Sequence, residues 1–259
     1  MLFRSALDAG DVFVARVAAN VLDESAVGMI FTDGDPQSNA DSSLAGADFR
    51  YRNSKLPGGR LIESQAWYEQ SDRPGVTDNN RAFGAGISMP NSVGWRGGFS
   101  TRQVEANFYP ALGFVDRTGI RDQSLDFGHQ WRFRNRRLRT LYHGFDGYRV
   151  MRLDTGNVES EVMSLRLTMQ NNTQDNFFMR AVASREVLRA PFQIYKQSDG
   201  LRTVVIPAGD YRFTDYRIGF DAGRQRSVSL RTTVSVGQFY RSEEHTSELQ
   251  SLAYLVCRL

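Results

Sequence analysis

The sequence predicts an all-β protein, built as an antiparallel up-and-down meander of about a dozen strands. Apolar and polar side chains alternate with a period of two along most of the chain, as they do on strands with one apolar and one polar face. Clusters of Gly, Asn, Asp and Pro separate these stretches and supply the turns that reverse the chain. Helical periodicity is hard to find, and parallel pairing would need crossover helices, so consecutive strands are predicted to pair as hairpins.

The alternation predicts the individual strands in chain order. It is clear in SEVMSLRLTMQN, where Met163 and Leu165 alternate with Ser164 and Arg166. It is clearest near the C-terminal end, in SVSLRTTVSVGQFY. The predicted strands are Val12–Leu22, Ala26–Thr32, Ala45–Arg52, Leu61–Gln70, Arg81–Met89, Gly94–Asn107, Ser124–Arg134, Arg139–Met151, Ser160–Asn171, Asn176–Leu188, Asp210–Phe220 and Ser227–Tyr240.

Three features favour a fragment of an outer-membrane-type β-barrel, with the apolar face toward lipid and the polar face toward a hydrated interior. Several predicted strands reach ten residues or more, whereas ordinary globular strands average five or six. Short turns such as LPGG occur together with longer connections such as DRPGVTDNN, as in outer-membrane barrels. Aromatic residues near strand ends are expected to form girdles at the two membrane interfaces. These aromatics are Trp67, Tyr68, Trp95, Phe108, Tyr109, Trp131, Phe133, Phe192, Tyr195, Phe239 and Tyr240.

A soluble β-sandwich or propeller is the alternative that the pattern leaves open, because both also alternate inward and outward residues.

The composition argues against two classes of protein, nucleic-acid-binding proteins and proteins with a transmembrane helix. The net charge is only +3, and the basic residues, nearly all Arg, are scattered along the strands, which argues against nucleic-acid binding. No run of eighteen apolar residues is present, so no transmembrane helix is predicted.

Both ends of the chain are expected not to be native protein. Arg241–Ser251 matches the translation of a common sequencing adapter, and Leu255–Leu259 matches its continuation, which includes the single cysteine, Cys257. MLFRS resembles the reverse complement of the same adapter. Residues 1–5 and 241–259 are therefore assigned to adapter and residues 6–240 to the β-barrel domain fragment. After Tyr240 we expect disordered or helical chain.

Several long motifs in residues 6–240 resemble the DUF5916 family of bacterial proteins. They are ARVAANVLDESAVGMIFTDGDP, AWYEQSD, FGAGISMPN, NFYPALGFVDRTGIR, PFQI and IPAGDYRFTDY. The resemblance implies the C-terminal outer-membrane-type barrel of a Gram-negative bacterium, with the outer-membrane lipid bilayer as its partner. Such proteins commonly carry a carbohydrate-binding module of family 9 ahead of the barrel. The resemblance therefore implies saccharides as partners through that N-terminal module, which this chain lacks.

Two of these motifs supply the candidate site residues, which we interpret as structural or as facing the barrel interior. In NFYPALGFVDRTGIR, Pro and Gly break the sheet between two strands, and two arginines flank the break. These arginines are expected to fix an inward-folded loop through acidic residues such as Asp126 or Glu105; lining a path for anionic or hydroxyl-rich solutes is the alternative. In IPAGDYRFTDY, Pro and Gly suggest a turn into a strand. The candidate residues are Asn107, Pro110, Gly113, Arg117, Gly119, Arg121, Pro207, Gly209 and Tyr211.

The chain offers no recognisable catalytic, cofactor or metal motif. His129 and His143 have no cysteine or HExxH-like spacing beside them, so no metal site is expected. FGAGISMPN lacks a following helix, and no GxSxG elbow occurs. The function expected is that of a non-enzymatic outer-membrane barrel, with a role in anchoring or transport linked to saccharide binding. The alternatives are a surface-anchored polysaccharide hydrolase whose active site lies mostly outside this fragment, and a soluble β-rich binding module.

Overall fold

A computed structural model describes residues 11–38, 41–135, 137–196, 203–226, 230–237 and 248–252 of the chain. These residues form strands, turns and loops, and no α-helix occurs among them. None of them belongs to a helix with the length and apolar character that crossing a bilayer requires. The strands are β1 Phe13–Val21, β2 Ser25–Asp33, β3 Ser43–Leu56, β4 Arg60–Asp72, β5 Arg81–Met89, β6 Gly94–Val104, β7 Ile120–Arg132, β8 Thr140–Arg152, β9 Val158–Gln170, β10 Asn176–Leu188, β11 Phe192–Lys196, β12 Thr203–Ile206, β13 Gly209–Asp221, β14 Arg231–Gly237 and β15 Glu248–Leu252.

The strands form an antiparallel meander, as the sequence predicts. One sheet contains thirteen strands, in the order β1 to β10 followed by β13, β14 and β15. Within it every strand after β1, except β13, hydrogen-bonds to the strand that precedes it in the chain. β11 and β12 form a separate two-stranded hairpin between β10 and β13. The prediction of an all-β meander of about a dozen strands is confirmed.

Two strand assignments differ from the prediction. The hairpin of β11 and β12 was not predicted, because its strands are only five and four residues long and lack an extended alternation. The expectation of disordered or helical chain after Tyr240 is wrong for β15, which pairs with β14 from Arg231↔Leu252 to Ser235↔Glu248. Backbone hydrogen bonds at a sheet edge depend little on sequence, so an edge strand can accept any extended segment.

The described chain divides into two compact units. The first falls within Met1–Pro90, Gly98–Gln123 and Met151–Asn157, and the second within Asn91–Gly97, Ser124–Val150 and Val158–Leu259. The first unit buries a small apolar cluster of Leu44, Ala82, Val104, Phe108 and Ile120. Val150, Ile206 and Tyr211 are the buried apolar residues among the described residues of the second.

In the first unit the strands expose a row of large apolar side chains on one face. Val17 on β1 lies opposite Met29 on β2, and they are 71% and 65% exposed. The other face carries ion pairs, such as the one between Arg16 and the Asp48 carboxylate at 2.7 Å. The alternation in sequence thus separates an apolar face from a polar one, because successive strand residues point to opposite sides of the sheet.

The second unit shows the same separation. Leu165 on β9 is 65% exposed, and Ile218 on β13 lies exposed on the same face of the sheet. On the opposite face the Asp146 carboxylate accepts hydrogen bonds from Arg166 at 2.7 Å and from Arg180 at 2.9 Å. Arg180 also donates to the Ser164 hydroxyl at 3.0 Å. Charged groups on this face therefore neutralise each other across adjacent strands.

Candidate functional site

The loop of residues 105–119, between β6 and β7, packs on the polar face of the first unit. Phe108 in this loop is only 5% exposed, and it lines a shared cavity with Leu44, Ala82 and Val104 of the sheet. The loop therefore supplies the apolar cover for sheet residues that would otherwise face solvent.

Hydrogen bonds attach this loop to the β4–β5 connection and to the segment after β2. The Asn107 backbone N–H donates to the Asn79 carbonyl at 2.7 Å, and the Asn107 side-chain amide donates to the Asp78 carbonyl at 3.0 Å. The Tyr109 backbone N–H donates to the Ser71 hydroxyl at 3.0 Å, and the Tyr109 hydroxyl donates to the Asp35 carboxylate at 3.4 Å. The loop is thus held in a defined position by both backbone and side-chain bonds.

The other candidate residues of this loop shape its turns. The Pro110 carbonyl accepts a hydrogen bond from Gly113 at 2.8 Å. Gly119 has φ +68°, a left-handed conformation that favours glycine, and its carbonyl accepts from Leu153 at 2.9 Å. The sequence predicts a pair between Arg121 and an acid such as Asp126 or Glu105. In the structure Arg121 donates to the Gln103 side chain at 2.7 Å. Arg117 lies in the same loop and has an interaction partner.

Pro207, Gly209 and Tyr211 form a compact turn at the start of β13. The Tyr211 hydroxyl donates to the Pro207 carbonyl at 2.8 Å. The Tyr211 ring lies over Gly209, where an added Cβ would be 3.3 Å from it, and the side chain is buried. These contacts give all three residues a role in holding the turn.

Beneath the 105–119 loop lies a cavity of about 310 Å³. Its walls are largely apolar, with Ile30 and Leu44 from the sheet and Leu112 from the loop. The two charged side chains in the wall are those of Glu69 and Arg102. Loop and sheet thus bring these two charged groups together with a largely apolar surface.

Sequence reasoning did not identify the residues of this cavity. Trp67 and Glu69 resemble ordinary alternating strand residues, and Trp67 was assigned to a membrane-interface girdle. The glycines opposite these two residues, Gly84 and Gly46, are the sequence signal that could have indicated the cavity. An added Cβ on Gly84 would lie 2.8 Å from Trp67 Nε1, and one on Gly46 would lie 2.8 Å from Glu69 Cγ. Glycines on neighbouring strands thus leave room for large side chains to lie across the polar face.

Of the aromatic residues expected in girdles, three lie elsewhere. Trp67 lines the polar-face cavity, Phe108 is buried, and Tyr109 is bonded to Ser71 and Asp35. For Phe108 and Tyr109 the physical reason is that the 105–119 loop folds back onto the sheet and does not continue the strand. Trp67 lies on the polar face of β4, opposite Gly84 of β5. Phe239 and Tyr240 lie outside the described residues.

A row of stacked rings lies on the apolar face of the second unit. Trp95 contacts Phe127 and His129, with ring centroids 5.0 and 4.8 Å apart. Trp131 contacts His129 at 4.2 Å and stacks on His143 at 4.8 Å. Both histidines are therefore part of an aromatic row. Trp95 and Phe127 also border an apolar groove of about 700 Å³ on this face.

Outside the strands, two loop carboxylates are held ionised by hydrogen bonds. The Ser38 hydroxyl and the Gln37 backbone N–H lower the pKa of Asp35. Burial, together with the nearby Asp35 charge, raises the pKa of Tyr109. Arg226, the Gly223 backbone N–H and Asn171 lower the pKa of Asp175 far below its usual range. These shifts favour a structural role, because each carboxylate is engaged by several donors.

The described residues contain no group of three or more His, Cys, Asp or Glu side chains arranged to hold a metal ion. Comparisons with known protein families, with curated proteins and with solved structures found no match to this chain.

Proposed function

We propose that this chain is part of an outer-membrane β-barrel of a Gram-negative bacterium. Its apolar face contacts lipid and its polar face encloses a hydrated interior. The observation that carries this proposal is the exposure of large apolar side chains along one face of the strands, in both units. In water such a face would be costly, since each large apolar side chain gains about 1.5–3 kcal/mol from burial.

The polar face supports the same assignment. Strand arginines there pair with acids on adjacent strands, as Arg16 does with Asp48 and Arg166 with Asp146. Paired charges can face a water-filled interior at little cost, whereas the lipid face of a barrel excludes them. The Trp95 and Trp131 rings lie on the apolar face, where amphipathic rings are suited to the membrane interface.

The role proposed for the barrel is anchoring or transport linked to saccharide binding. This rests on the resemblance of its motifs to the DUF5916 family, whose members commonly carry a carbohydrate-binding module ahead of the barrel. Binding of saccharide by that module would then be coupled to the membrane through these strands. None of the described residues is assigned a catalytic part in this proposal.

Heating before gel electrophoresis tests the proposal on the full chain, purified in a non-ionic detergent. We expect the unheated sample to migrate differently from the boiled one, because folded membrane barrels resist unfolding by the gel detergent. We also expect the chain to enter the detergent-rich phase in a phase-separation experiment. A folded chain that stays in the aqueous phase, with no change of migration on boiling, would support the soluble binding module in its place.

A further inference from the structure

The cavity under the 105–119 loop combines an apolar wall with one charged group that lacks a partner. Among the described residues no hydrogen-bond donor and no ion-pair partner within 4 Å engages the Glu69 carboxylate. Arg16, the cation whose charge reaches Glu69, is itself paired with Asp48 at 2.7 Å. Glu69 is half-buried, so its carboxylate has lost part of its water without gaining a protein donor.

The second charged group of the cavity is already neutralised. Arg102 donates to the Asp122 carboxylate at 2.7 Å, and Asp116 lies 3.9 Å from the same guanidinium. Two carboxylates therefore face one guanidinium, while Glu69 adds a further negative charge. Glu69 is therefore the one charged side chain among the described lining residues that has no partner, which favours a cationic occupant over an anionic one.

The phenyl ring of Phe114 lies in the wall of the cavity but is exposed. Phe114 lines the cavity and is 89% exposed, although it lies on the loop that covers the polar face. Phe114 is thus an exposed apolar side chain in the wall of the cavity. The Trp67 side chain is also part of the wall.

We propose that this cavity binds a small organic monocation with an apolar body, of the arylalkylamine class. The ammonium group would pair with the Glu69 carboxylate, and the apolar body would lie between the sheet residues Ile30 and Leu44 and the loop residues Leu112 and Phe114. A volume of about 310 Å³ accommodates a molecule of this size. This binding site is a function separate from the proposed membrane role. All its residues belong to the first unit, and the binding contacts do not involve lipid.

The test is a binding titration of the full chain by calorimetry, with three phenyl-substituted probes of similar shape and different charge. They are 2-phenylethylamine, the neutral 2-phenylethanol and the anionic 3-phenylpropionate. We expect the amine to bind and the other two to bind at least about tenfold more weakly, since a charge-assisted hydrogen bond contributes of that order. The titration is done in whichever phase, detergent or aqueous, the folded chain occupies, so its outcome is independent of the membrane proposal.

Two variants and one control locate the site. Glu69→Gln should weaken amine binding about tenfold and leave alcohol binding unchanged. Leu112→Trp, which fills the cavity without removing a charge, should abolish binding of the amine. Glu63→Gln is the matched control, because Glu63 lies on the same face of β4 and pairs with Arg52 outside the cavity. Equal binding of amine and alcohol, no binding of the amine at millimolar concentration, or unchanged amine binding in folded Glu69→Gln would overturn the proposal.

Discussion

At the scale of single residues, Asp175 is a carboxylate that accepts hydrogen bonds from four residues. Its side chain is 8% exposed and accepts hydrogen bonds from the Gly223 backbone N–H at 2.9 Å and from Arg226 Nε at 2.7 Å. Asn171 and Thr173 donate to it from its own turn. Asp175 therefore joins the β9–β10 connection to the β13–β14 connection.

Replacing Asp175 by Asn should destabilise the chain in a pH-dependent way. The folded-state pKa of Asp175 is depressed below its unfolded value of about 3.9, so the carboxylate contributes stability above that pH. This contribution is lost as pH falls from about 4 toward the folded-state pKa. Urea unfolding should therefore show Asp175→Asn less stable than the parent chain at pH 7, with a smaller difference below pH 4. Asp23→Asn, in an exposed pair with Lys55, should have little effect. A pH-independent difference would contradict this account.

The close approach of Trp67 to β5 gives a second prediction at this scale. Gly84→Ala would place a Cβ 2.8 Å from Trp67 Nε1 and 3.0 Å from the Thr101 carbonyl, so the ring or the strand must shift. We expect a loss of about 1–3 kcal/mol in the free energy of unfolding. Gly86→Ala is the matched control on the same face of the same strand, where the nearest atom lies 3.2 Å away. Urea unfolding should show a clearly smaller loss for this control, and equal losses would contradict the packing argument.

At the scale of strands, the elements that the sequence predicts well are those whose signal is local. The bounds of β5 and β10 agree with the predicted Arg81–Met89 and Asn176–Leu188, because their alternation and flanking turns are both visible in the sequence. Strand β14 is described over Arg231–Gly237, which lies within the predicted Ser227–Tyr240, and residues 227–229 and 238–240 lie outside the described residues.

The part of the site that sequence could not predict depends on contacts distant in the chain. The loop motif from Asn107 to Arg121 was recognised as a break between strands, but its attachment to Asp35 joins residues 74 apart. No local pattern encodes such a contact. The cavity residue Glu69 was missed for the same reason, because its isolation appears only once β3, β4 and the loop are packed together.

The orientation of the strands gives a prediction that separates lipid from water. Leu165→Arg places a charge at the middle of β9 on the apolar face, which should cost about 2–4 kcal/mol if that face contacts lipid. Leu22→Arg, in the exposed β1–β2 turn, should change stability by less than about 0.5 kcal/mol. Unfolding of both variants in lipid vesicles measures the difference. In a soluble module both substitutions would be tolerated, and equal stabilities would rule out lipid contact at Leu165.

At the scale of the whole molecule, the assignment of residues 241–259 to adapter can be tested by shortening the chain. β15 contacts the sheet through five residue pairs with β14, whereas β10 forms eleven pairs with β9 and thirteen with β13. We expect a chain that ends at Tyr240 to keep its detergent partition and its shift on boiling. If shortening abolishes both properties while the full chain retains them, residues 241–259 are an integral part of the fold.

The order of the meander has a consequence for how the protein reaches its native state. Because nearly every strand of the sheet bonds to its predecessor in the chain, each addition closes only a short stretch, and the sheet can grow one hairpin after another. β13 is the exception, since it must find β10 across the intervening β11–β12 hairpin. We therefore expect β1 to β10 to form by successive hairpins, and β13 to β15 to join them after one longer conformational search.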